Sequence, residues 1–91
     1  MEGRRLILAD GTVLEGWNAG YNSGSLWCYG GGITMAEAAG LFLDPEKTAV
    51  ITFQYGEMEE VYEGCTVCRT LAQDTDGRIS VGMTKAVGGN V

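Results

Sequence analysis

Only one stretch of the chain has the spacing of an amphipathic helix. The rest must satisfy its backbone hydrogen bonds in sheet and turns. Thr34-Met35-Ala36-Glu37 has the form of a capping box, with Thr34 as N-cap and Glu37 three residues later. Met35, Ala38, Ala39, Phe42 and Leu43 follow at helical intervals, which predicts a core-facing stripe. Asp44-Pro45 ends it, because the residue before proline avoids helical geometry. A helix of about ten residues is unstable alone in water, so it must pack on something, and a sheet is the obvious partner.

The flanking segments supply that sheet. Arg5 to Leu8 and Thr12 to Leu14 flank Asp10-Gly11 and read as a hairpin. Gly16 to Gly24 has no periodicity and reads as a loop or irregular edge. Ser25 to Tyr29 reads as a third strand, followed by Gly30-Gly31-Gly32. After the helix, Thr48 to Gln54 is β-branched and aromatic, with Ala49, Ile51 and Phe53 on one face. Glu57 to Glu63 alternates, Met58 and Tyr62 against Glu57, Glu59 and Glu63. Cys65 to Ala72 and Arg78 to Lys85 form a last pair around the turn Asp74-Thr75-Asp76-Gly77. The expected fold class is α+β in the order β-β-β-α-β-β-β-β. It is a single small domain over residues 1–91, and 86–91 is expected to be a frayed tail. The single helix covers one face of a curved antiparallel sheet of about six to seven strands, which can close in part into a barrel.

Composition narrows the function classes. Twelve acidic residues against six basic ones give a net charge of −6, unsuited to direct nucleic-acid or anionic-membrane binding. The absence of His removes imidazole acid–base catalysis and His-ligated metals. Three cysteines, Cys28, Cys65 and Cys68, are an odd number for a disulfide scaffold. Cys65-x-x-Cys68 lies in a strand segment, where positions three apart face opposite ways, so no metal or redox pair is expected. No segment has the length of a membrane span. No catalytic constellation is found, and the expectation is a soluble, non-enzymatic protein without cofactor.

Leu41-Phe42-Leu43-Asp44-Pro45-Glu46-Lys47-Thr48-Ala49, Val61-Tyr62-Glu63-Gly64-Cys65-Thr66 and Ile79 to Lys85 occur in that order. Together they resemble small uncharacterised phage and prophage proteins of Gram-positive gut bacteria, over roughly Thr34 to Lys85. The resemblance implies phage origin and a non-enzymatic role. It carries over no functional residues.

Two candidate binding sets stand out. The first is the acidic strand Glu57, Glu59 and Glu63, with Glu60 nearby. Alternate strand residues lie roughly 6.7 Å apart, similar to phosphates along an extended single strand, so such a face can imitate nucleic acid. The plainer reading is an edge strand protected by charge. The second is the aromatic–glycine segment: Trp17, Asn18, Tyr21, Trp27 and Tyr29. Aromatics stack on bases, and the glycine run before the helix offers a phosphate seat. The plainer reading is core or protein interface. Asp74-x-Asp76-Gly77 shares only a fragment of a calcium loop and reads as a turn.

The expected function is stoichiometric binding by a phage-encoded inhibitor of host antiviral defence. It would act by acidic mimicry or by sequestering a nucleotide signal. Its partner would be a host defence protein or a small nucleotide, and its compartment the host cytoplasm. The alternative is a tail-associated structural accessory of the virion, partnered by a phage structural protein. Self-association into a homo-oligomer is compatible with either.

Overall fold

The computed structural model describes residues 3–86. The expected frayed tail lies, from residue 87 onward, outside them. In chain order the elements are β1 (Arg4–Ile7), β2 (Val13–Glu15), β3 (Asn18–Asn22), β4 (Ser25–Gly30), α1 (Met35–Phe42) and α2 (Pro45–Thr48). They continue with β5 (Val50–Tyr55), β6 (Met58–Glu63), β7 (Val67–Gln73) and β8 (Ile79–Thr84).

The strands form two antiparallel four-stranded sheets rather than one curved sheet, and no barrel closes. The first sheet runs β2-β1-β5-β6 and the second β3-β4-β8-β7. Each takes one hairpin from before α1 and one from after it. Eight strands replace the expected seven because the segment read as a loop contains β3. It has little apolar patterning, and its order comes from a five-residue ladder with β4, from Asn18 opposite Tyr29 to Asn22 opposite Ser25.

The inward faces of both sheets meet in one core. Leu6, Leu14, Ile51, Phe53 and Tyr62 come from the first sheet; Leu26, Cys28, Ile79, Val81 and Met83 come from the second. Helix α1 adds Ala38 and Phe42. Its capping box is complete: Glu37 N–H donates to Thr34 Oγ1, and Thr34 N–H donates to Glu37 Oε1. Leu43, expected in the core, is instead exposed, because it is the C-cap where the stripe leaves the helix. Asp44 then caps the single turn α2, accepting from Glu46 N–H, and Pro45 occupies its first position.

Both expected turns are present. At the first hairpin Thr12 N–H donates to Asp10 Oδ1, which holds the Asp10 carboxyl below its usual range. At the last, Asp74 Oδ1 accepts from the N–H groups of Asp76 and Arg78, and Gly77 adopts φ +85°. That carboxylate is engaged by its own hairpin.

Candidate functional site

The alternation along β4 decides which aromatics are free to bind. Leu26, Cys28 and Gly30 point inward; Ser25, Trp27 and Tyr29 point outward. The ladders align each outward residue with its neighbours. Asn18, Tyr29, Ser80 and Ala72 form one row, and Gly20, Trp27, Gly82 and Thr70 the next. Beyond them Asn22 pairs with Ser25, and Thr84 pairs with Val67. The outer face of the second sheet is thus an aromatic pair set among amides, hydroxyls and small residues.

Glycines on both sides shape this face. The indole of Trp27 lies over Gly82, where an added Cβ would stand 3.0 Å from Cη2 and Cζ3. On the other side, nothing lies within 4 Å of the Cβ position of Gly20. A surface depression of ≈ 450 Å³ results, lined by Gly20, Tyr21, Asn22, Trp27 and Tyr29. Tyr29 is 43% exposed and Trp27 half-buried.

The other expected members separate from this pair. Trp17 is fully buried, stacked on Phe42 at 5.6 Å between ring centroids, with its Nε1–H donating to Gly31 O at 2.9 Å. It is a core residue and cannot face a ligand. Its ring also explains the first glycine of the run: a Cβ on Gly30 would stand 2.5 Å from the indole. The Thr34–Glu37 box already occupies the helix N-terminus behind that run. The phosphate seat expected there is therefore spent on packing and capping.

Tyr21 borders the depression, but its hydroxyl meets Cys65 Sγ at 3.2 Å and its ring packs edge-on against Tyr62 at 5.1 Å. The contact with the Cys65 thiol, aided by burial, pushes the Tyr21 phenol up to about 12. Tyr62 in turn donates to Glu60 Oε1, and burial together with that bond raises its phenol. This chain links the two sheets at one side of the core.

The acidic strand is also divided. β6 is an edge of the first sheet, as the plainer reading required. Glu59 and Glu63 face outward opposite Gln54 and Val50, with Val61 between them. Glu57 sits in the turn before the strand, and Glu60 shares the Tyr62 side. The two outward strand carboxylates are four residues apart, roughly 13 Å, twice the phosphate-like interval.

Cys65 precedes β7 rather than lying in it, so the opposite-face argument does not apply there. Cys65 and Cys28 are buried and Cys68 half-buried, all as free thiols. Burial pushes the Cys28 thiol up to about 12 and raises Cys68 as well. Among the described residues no cluster of three His, Cys, Asp or Glu is placed to hold a metal. No described helix is long and apolar enough to cross a membrane.

One residue of the outer face had no sequence signal beyond its charge. Arg69 stands at the register shift between Cys68 and Thr70, and its Nε–H donates to Thr84 Oγ1 at 3.2 Å. It is the only charged residue in the four strands of the second sheet. The first sheet carries Arg4, Arg5, Glu15, Glu59, Glu60 and Glu63. Comparison with family models, with curated proteins and with solved structures finds no match.

Proposed function

We propose that this chain is a non-catalytic binding protein that holds a nucleotide-class ligand on the outer face of its second sheet. In the phage setting that the sequence resembles, this activity would sequester a nucleotide signal of host antiviral defence. The observation that supports the reading most is the Trp27–Tyr29 pair. Both rings lie on one face, one strand step apart, beside the open space at Gly20 and without a carboxylate in any of the four strands. Base–aromatic stacking contributes about 1–3 kcal/mol per base, enough for a small site to select flat rings. The test is native mass spectrometry of the purified chain with linear and cyclic nucleotides. Bound nucleotide that is lost in Trp27→Ala and retained in Glu59→Gln/Glu63→Gln supports sequestration. Loss in the glutamate variant instead would return acidic mimicry to the front, despite the wide spacing of Glu59 and Glu63. No bound nucleotide from the panel overturns the reading.

A second reading, a structural accessory of the phage particle, draws on the opposite side of the molecule. Val13, Ile7, Thr52 and Val61 form one outward row across the first sheet, and Val13 and Val61 are 42% and 52% exposed. A β-branched row of this kind suits a protein contact. A discrete higher oligomer without nucleotide, broken by Val61→Glu, is its expected signature.

A further inference from the structure

We infer that Arg69 is the anion anchor of the aromatic face, so that the ligand lies along β8 with its ring on Trp27 and its negative charge at Thr84. The inference rests on the nucleotide reading and specifies its orientation and charge.

Three placements carry it. The first is the bulge. Cys68 pairs with the core residue Met83 and packs inward, whereas Thr70 pairs with outward-facing Gly82, so Arg69 is the extra residue at which the alternation breaks. Arg69 is exposed and its guanidinium reaches Thr84, which faces outward by its place in β8. Bulges commonly re-aim one side chain beside a binding site. The second is distance. Gly82, under the Trp27 indole, and Thr84, under Arg69, are two residues apart on one strand, roughly 6.7 Å. That interval suits a base at one end and a phosphate at the other, with one sugar between. The third is the charge gradient along the face. Lys85 follows Thr84 directly, so with Arg69 the Thr84 end carries two positive charges, whereas the β7–β8 turn at the opposite end sets Asp74 and Asp76 against the single cation Arg78. An anion is therefore favoured at the Thr84 end over the Ile79 end.

The chemistry of the guanidinium fits this role. It presents five N–H donors in a fixed fork, of which the Thr84 contact uses one. That contact orients the plane, and phosphate oxygens accept such donors in pairs. A neutral sugar or free nucleoside would gain the stacking at Trp27 but not this contact.

The test compares adenosine and guanosine with their 5′-monophosphates by calorimetry on the full chain. Wild type is expected to bind the monophosphate roughly tenfold or more tightly than the nucleoside, with the difference shrinking as salt rises. Arg69→Gln is expected to bring that ratio close to one while nucleoside affinity stays. Arg69→Lys should retain part of it, since a point charge replaces a fork. Trp27→Ala should weaken nucleoside and monophosphate alike. An unchanged unfolding midpoint in Arg69→Gln shows that the loss is local. Equal binding of nucleoside and monophosphate by wild type, or an unaltered ratio in Arg69→Gln, overturns the anchor and leaves the aromatic site standing. Binding of neither compound overturns both.

Discussion

Gly30 stands under the face of Trp17, at a separation that leaves no room for a side chain: a Cβ there would lie 2.5 Å from the indole. This contact ties the end of β4 to the core and fixes where the glycine run begins. It also decides which of the two tryptophans is structural.

Gly30→Ala is therefore expected to cost about 1–3 kcal/mol, the usual penalty of overpacking a filled core. In a domain of this size each kcal/mol lowers Tm by roughly 4–8 °C. Gly31→Ala, where nothing lies within 4 Å of the added carbon, is the control and should stay within about 0.5 kcal/mol of wild type. Urea denaturation of both variants checks the pair. Equal losses would show that the run matters for its flexibility rather than for the Trp17 contact.

The two tryptophans should separate in a quenching experiment. Trp17 is fully buried and Trp27 half-buried on the outer face. Iodide is expected to quench one component of the emission and leave a blue-shifted remainder, and Trp27→Phe should leave only that remainder. Gly82→Ala should make the accessible component more accessible, because the new methyl stands 3.0 Å from the indole and must displace it. Unchanged quenching in Gly82→Ala would mean that the indole has another resting place.

Alkaline pH should weaken the fold through Tyr21. Its phenol is raised from an ordinary value near 10 to about 12, chiefly by the Cys65 contact. The folded state therefore holds a proton that the unfolded state releases first. The resulting stabilisation is complete below pH 10 and is lost as pH rises through 12. Denaturation midpoints followed between pH 9 and 12.5 should fall less steeply in Tyr21→Phe than in wild type. Parallel slopes would remove Tyr21 as the cause.

Thiol labelling tests the core from another direction. Cys28 and Cys65 have no exposed surface, and burial raises the Cys28 thiol to about 12. Native alkylation near pH 8, read by intact mass, is expected to add one slow label at Cys68 and to add all three only in denaturant. Fast labelling at Cys65 would mean that the Tyr21–Cys65 contact opens in solution.

Much of this architecture can be read from local chemistry. The capping box, the Asp-Gly hairpin and the Asp74–Gly77 turn are each determined within a few residues. The strands of the second half show themselves through β-branched residues and alternation. Strand partners are a different matter. β1 lies beside β5 and β4 beside β8 across long stretches of chain, and nothing local separates one sheet of seven strands from two of four. β3 escapes because Asn18-Ala19-Gly20-Tyr21-Asn22 has little pattern of its own and borrows its order from β4. The candidate site divides in the same way. Trp27 and Tyr29 are legible as a pair because strand alternation sets them together. Trp17 is not distinguishable from them until its contact with Phe42 is known. Arg69 is invisible as a site residue because its direction depends on a bulge, which shifts the alternation without a residue type to announce it.

The strand order β3-β4-β8-β7 places β8, made after its three sheet neighbours, between β4 and β7. On a ribosome, β4 and β7 emerge with no common neighbour, and Trp27 stays on a two-stranded ribbon until β8 follows. Gly82 beneath the indole and Thr84 beneath Arg69 both belong to β8. Translation that stalls short of Ile79 thus releases a chain that carries Gly20, Trp27 and Tyr29 on the β3–β4 hairpin but lacks the strand under the indole and the partner of Arg69. The aromatic pair and its anion end are joined only once β8 is made.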